Sequence, residues 1–283
     1  MIGQYHLKRA LLALAVLASG LVVLLFARLF SIPTHPGFEA SLLEQRAAVV
    51  SVLAVGVALV IATAAGSLIA GRVRYEAGFF AAAAGLAVLS FRGGTMRYVL
   101  FEAGSNTIFL LLAIETVLLF MLLAVSWRVL SAVVPARLIP PPAGEEDDSL
   151  NQRLLALAAT TAFMLLIQTM LLQTDEKMQA IASTFIAAIL AAMGAHALFP
   201  TRSAAWYWPA PGIVGVIGYL WAWSNPGKFW SSGWVDHPLA RALPLDYASA
   251  GAAGAVLGFW LSRRNKEKPV ANSVPGQPAP VSA

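Results

Sequence analysis

Thr107-Ile-Phe-Leu-Leu-Leu-Ala-Ile-Glu115-Thr-Val-Leu-Leu-Phe-Met-Leu-Leu-Ala-Val-Ser-Trp127 decides the class of the molecule. At about 1.5 Å of rise per residue, an apolar run of about 20 residues crosses the hydrocarbon of a bilayer. This one has that length and a carboxylate near its middle. An acid at such a depth costs a few kcal/mol and turns toward the bundle interior. Glu115 reads as the only acidic side chain inside the hydrocarbon. Its neighbours on the same helix, Leu111, Leu112, Leu118 and Leu119, are apolar. The carboxyl must therefore find a partner across a helix interface or stay protonated.

The rest of the chain repeats the pattern. Of 283 residues, 59% are hydrophobic and only 12% charged, with mean hydropathy +0.73. A soluble domain carries about a quarter charged residues, so the composition indicates an all-α polytopic membrane bundle. No polar stretch is long enough for a folded domain outside the membrane. Cysteine is absent, which excludes disulfides, thiolate metal sites and covalent haem. The net charge of +5 is gathered at span ends rather than in a nucleic-acid patch.

Eight spans are expected, near 10–27, 47–71, 77–91, 107–127, 154–172, 178–199, 206–223 and 245–262. The run 77–91 is short, and 206–223 is broken by Pro209, Pro211, Gly212, Gly215 and Gly218. Residues 1–132 form a first four-helix half and 154–262 a second. Between them lies a Pro-rich acidic linker, 133–153, with Glu145-Glu-Asp-Asp148. A basic segment and a disordered Pro/Ala/Ser tail occupy 263–283. The stretch 31–46 reads as a loop and 225–244 as a Trp-rich loop.

Charge sets the orientation. With both termini cytoplasmic, twelve of the nineteen basic residues fall inside, as the positive-inside rule asks. Dropping 77–91 would move the C-terminal basic cluster outside. Trp127, Trp206, Trp208 and Trp260 are then expected in an inner aromatic belt and Trp221 and Trp223 in an outer one. The compact loops suggest a bacterial cytoplasmic membrane. An offset of 128 residues aligns Gly66 with Gly194, Arg74 with Arg202, Phe79 with Tyr207 and Phe80 with Trp208. This is a trace of duplication, against which loop lengths differ.

Helical rise places Glu115 about 12 Å from the outer end of its span, Ser183 and Thr184 about 8–9 Å in, Gln168 about 6 Å and Thr161 about 16 Å. Thr161 and Gln168, seven apart, share a face. These five residues are the candidate pathway for a proton, ion or substrate. No histidine pattern makes a metal site, His196 reads as an interfacial residue, and no cofactor is expected. His35, Glu39, Asp236 and His237 share the outer side, where a solvated loop is the ordinary reading. Paired irregular spans point to a transporter, and a small transporter or permease-like protein is the expected function. A structural or assembly subunit is the alternative, with the small-residue face of Gly254 and Gly258 available to a membrane partner or a second copy. A lipid-acting membrane enzyme comes third, because no catalytic constellation converges. The bilayer is the expected environment and no nucleic acid partner is implied.

Overall fold

The computed structural model describes residues 2–30, 41–43, 47–134 and 149–266. The linker residues 135–148, with their acidic run, and the tail 267–283 lie outside the described residues, as do His35 and Glu39. Among the described residues there is no strand.

Each expected span is helical. In chain order these are α1 (Ile2–Phe30), α2 (Ala48–Ala70), α3 (Ala77–Arg92), α4 (Met96–Glu102), α5 (Thr107–Val133), α6 (Leu150–Leu171), α7 (Lys177–Leu198) and α8 (Ala210–Ser224). The last segment runs without a break through α9 (Pro244–Asp246), a π-helical turn (Tyr247–Gly251) and α10 (Ala252–Lys266). Five helices, α1, α2, α5, α6 and α7, are long and apolar enough to cross a membrane. A sixth is counted if α3 and α4, which meet at 54°, are one span. Their outward faces fit a lipid environment: Leu17, Leu68 and Met170 are each about 70% exposed or more, within long rows of exposed Leu, Val and Ile. A protein in water rarely presents such continuous apolar surface.

The helix starts follow local chemistry. Ser149 caps α6 by accepting the Gln152 N–H (3.2 Å). Pro209 and Pro211 stand at the entry to α8, where a missing N–H costs nothing. The short helix α4 falls between two expected spans. It buries Met96, Val99 and Leu100 and leaves Tyr98 and Phe101 exposed, so it lies amphipathically at the end of the bundle far from the N-terminus, called distal below.

Small residues set the packing. Helices α1, α2 and α3 pack on one another, with Ser19 of α1 donating to the Ala62 carbonyl of α2 (3.1 Å). A Cβ on Gly85 would stand 2.8 Å from the Gly20 nitrogen, closer than atoms approach. The glycines of α8 make room for neighbours: Gly212 for the Phe120 ring, Gly215 for Tyr247 and Gly218 for Leu239. In the same way a Cβ on Gly254 or Gly258 would collide with the Phe185 or Ile189 carbonyl of α7. That face is filled from within the chain and is not offered to a second one.

The third and fourth helices of the halves pack crosswise. Helix α3 lies against the Pro244–Lys266 segment, and α8 lies against α5. Near the end bearing the N-terminus, called proximal, Phe79 sits 5.0 Å from both Trp127 and Trp208, and Phe80 sits 5.0 Å from Trp260. Trp208 and Trp260 are buried, so the expected inner belt is in part an internal aromatic cluster. His196, expected at the interface, is also buried. Its Nδ1 bonds the Ser262 hydroxyl (2.9 Å), and its ring meets Phe259 edge-on. Trp221 and Trp223 are exposed near the distal end, where the outer belt was expected.

Overpacking a close helix contact costs about 1–3 kcal/mol. Gly85→Ala is therefore expected to lower the thermal midpoint of the detergent-purified protein by several degrees. Gly104→Ala, where an added Cβ meets nothing within 4 Å, should leave it unchanged. Thermal unfolding followed by size-exclusion fluorescence reads the difference.

Candidate functional site: two buried carboxylates at the distal end

Glu115 is 1% exposed, on the inward stripe of α5 with Leu112, Thr116 and Leu119. Its partner is not another helix. The chain between α1 and α2 turns inward at residues 41–43, where Ser41 and Leu42 are buried. The Ser41 hydroxyl donates to Glu115 Oε2, and the Leu43 backbone N–H donates to the same oxygen at 3.3 Å. Glu115 Oε1 is buried and has no hydrogen-bond partner among the described residues. A groove of about 460 Å³ opens along the distal part of α5, and Leu111, one turn before Glu115, lines it.

A second acid corrects the expectation that Glu115 stands alone. Asp246, 1% exposed, lies at the N-terminal end of the last segment. Lys177 Nζ makes an ion pair with its Oδ1 at 2.6 Å, and the Ser90 hydroxyl of α3 donates to that oxygen too. Oδ2 accepts the Leu243 N–H at 2.8 Å, which is the acidic half of a capping box; Leu243 has no side-chain acceptor to complete it. Every charge in this cluster is met, as burial of an ion pair requires. Asp246 was legible, because it falls inside the run 245–262, two residues after a proline that starts a helix.

The other candidate residues divide. Gln168 and Thr184 are brought together: the Gln168 amide donates to Thr184 Oγ1 (3.1 Å) and to the Tyr247 hydroxyl (3.0 Å), and Tyr247 donates to the Leu239 carbonyl. Gln168 Oε1 has no partner among the described residues. Ser183 is buried but bonds the Gln179 and Ala180 carbonyls of its own helix. Thr161 is half-buried and bonds the Leu157 carbonyl of its own helix. The buried stripe of α6 is Ala156, Thr160, Met164 and Gln168, so the inward threonine is Thr160, not Thr161. Tyr219 of α8, whose hydroxyl donates to the Ala242 carbonyl, stands within electrostatic reach of Tyr247, Asp246 and Glu115.

Arg241 closes the distal end. Its guanidinium donates to the carbonyls of Val235 (3.0 Å), Leu172 (3.4 Å), Gln173 and Asp236 (3.3 Å), and it lies 5.0 Å over the Trp234 ring. It thereby ties the C-terminal end of α6 to the Trp-rich loop. His237 beside it packs on Trp221, 5.6 Å between ring centres. Burial first, and the Arg241 charge second, hold its imidazole below the ordinary range. Among the described residues no group of three His, Cys, Asp or Glu side chains could hold a metal ion. No family model matches this chain, and no curated protein or solved structure matches it either.

Two outcomes follow. Lys177→Met strands the Asp246 charge, a loss of about 3–5 kcal/mol for one partner of a buried pair. The double variant Lys177→Met/Asp246→Asn should recover much of it, as chemical denaturation in detergent would show. For His237 the folded-state pKa lies below the unfolded one, so the unfolded chain binds the proton more readily. Stability of the 230–243 loop should be full above the unfolded pKa and fall as pH drops through the folded value. Protection of the amides there, relative to the intrinsic exchange rate at each pH, should fall from pH 7 to 5 in the wild type and stay level in His237→Gln.

Proposed function

We propose that the chain is a small transporter or permease-like protein of a bacterial cytoplasmic membrane, with eight spans and both termini inside, in which Glu115 handles a proton or cation. The observation that carries the reading is the state of its carboxyl. One oxygen is held by two donors from a re-entering loop, and the other is buried without a partner among the described residues. A carboxyl serving only to lock the fold would have both oxygens met, as Asp246 does. Ionisable groups at membrane depth are rare and mark ion or substrate paths.

Further support comes from the helices around it. α8 is entered through prolines and thinned by glycines, α3 breaks from α4 at 54°, and the last segment carries a π-turn. Interrupted helices in corresponding positions of two halves are a mark of transporter sites, and π-turns gather at functional sites. The two bonds that Glu115 accepts come from the chain ahead of α2 and not from a neighbouring helix, which favours this reading over the alternative of a glutamic acid serving as packing glue between helices. The eight-span count adds α3, α8 and the Pro244–Lys266 segment to the five long helices, supported by the charge bias.

Purified protein in liposomes with an internal pH dye tests the reading. An imposed potential should drive proton uptake in the wild type. Glu115→Gln should cut the rate by at least tenfold while its melting temperature stays within a few degrees. Uptake equal to that of protein-free liposomes in the wild type, or equal rates in both proteins, would remove it.

A further inference from the structure

Two of the buried acids lie on the fourth helices of the two halves, at different depths. Glu115 is on the fourth helix of the first half and Asp246 at the start of the fourth of the second, 131 residues later. Each takes one serine hydroxyl and one backbone N–H: Ser41 and Leu43 at Glu115, Ser90 and Leu243 at Asp246. Each is also met by chain entering the second helix of its own half, Ser41–Leu43 before α2 and Lys177 at the start of α7. The proximal contacts match as well. Phe79 packs on Trp127 within the first half and Tyr207 on Phe259 within the second. The residue offset grows from 131 at the acids to 132 between Trp127 and Phe259. The π-turn between Asp246 and Phe259 supplies that one extra residue, since a π-turn closes one residue later than an α-turn.

Besides their depth, the two sites differ in charge. Asp246 has an ammonium group, the end of Lys177, 2.6 Å from its oxygen, whereas Glu115 Oε1 has no donor among the described residues. We propose that the halves are a repeat related by this correspondence and that Glu115 Oε1 receives the N–H of a small free ammonium ligand, such as a primary alkylammonium ion, in the role that the tethered Lys177 plays at Asp246. This names the substrate class of the transport site and rests on that reading.

A proton placed on Oε1 neutralises the carboxyl but brings no donor to it. An alkali cation asks for several oxygen ligands, and the two groups already at Glu115 are donors aimed at the carboxyl. An ammonium ion brings N–H donors to Oε1 directly, and charge-assisted bonds of this kind are the strong ones. Leu112 and Leu119 share the buried stripe of α5 with the carboxyl, which favours a small ligand.

The test uses the full chain in lipid nanodiscs at pH 7.5, with methylammonium chloride as the probe and tetramethylammonium and potassium chloride as comparisons at equal ionic strength. Methylammonium should raise the melting temperature of the wild type by several degrees with saturation; tetramethylammonium, which has no N–H, and potassium should not. The shift should vanish in Glu115→Gln and weaken in Ser41→Ala, which keeps the acid. Lys177→Ala should melt lower and be partly restored by n-butylammonium, which returns an ammonium to Asp246. Equal shifts with all three salts, no shift in the wild type, or a full shift in Glu115→Gln would overturn the proposal. Methylammonium binding without proton or [14C]methylammonium flux in liposomes would leave the amine site standing and remove the transport reading. Glu115-dependent proton flux without methylammonium binding would do the reverse.

Discussion

A carboxylate inside an apolar bundle must be met by donors, and the arrangement of the distal end follows from satisfying that demand at Asp246. Its partners come from three places in the chain: Ser90 at the end of α3, Lys177 at the start of α7 and the Leu243 N–H just ahead of α9. Each bond requires a particular helix end to arrive at the same depth. The crosswise packing of α3 on the last segment is therefore tied down by polar bonds where helix packing in lipid has no hydrophobic drive to hold it. Arg241 adds the second tie, gathering carbonyls from the end of α6 and from the Trp-rich loop.

The proximal half is held by different means. Ala and Gly let α1, α2 and α3 approach backbone to backbone, and the aromatic cluster of Phe79, Trp127, Trp208 and Phe120 fills the space where the four inner helices diverge. These contacts are short-range and numerous, and they leave little freedom. The distal half instead holds its polar side chains by specific bonds, Glu115 to the chain at residues 41–43 and Gln168 to Thr184 and Tyr247.

The helices were legible because lipid allows a spanning backbone few alternatives: every apolar run had to satisfy its own N–H and C=O groups, and each became helical. What hydropathy could not carry was where single polar residues point. Ser41 sits among prolines and polar residues that signal a solvated loop, and only the tertiary structure shows it reaching Glu115. Thr161 was placed by a seven-residue spacing, yet the buried stripe of α6 steps by four through Thr160 and Gln168. Trp208 and Trp260 looked like interface anchors because tryptophan at span ends usually is one. Here facing aromatics from the other half draw them inward. The grouping of Gln168 with Thr184 was legible because both lie at similar depth on helices joined by a five-residue turn.

The π-turn connects these features. It begins at Tyr247, directly after Asp246, and its extra residue rotates everything before it by about 100° relative to an uninterrupted helix. The two ends of the last segment can then satisfy different neighbours. Phe259 and Trp260 face the aromatic groups of α3 and the Tyr207 turn, while Asp246 faces Ser90 and Lys177 and Tyr247 reaches both Gln168 and the Leu239 carbonyl. Gly215 clears the space for the Tyr247 ring, and Pro211 packs where Gly251 has no side chain. α5 carries no such turn, and its acid lies two turns inside the helix rather than at its start. A lysine at the head of the second helix can reach an acid at the helix start but not one set that much deeper. The depth of Glu115 thus accounts for its carboxyl being met by chain that turns inward at residues 41–43.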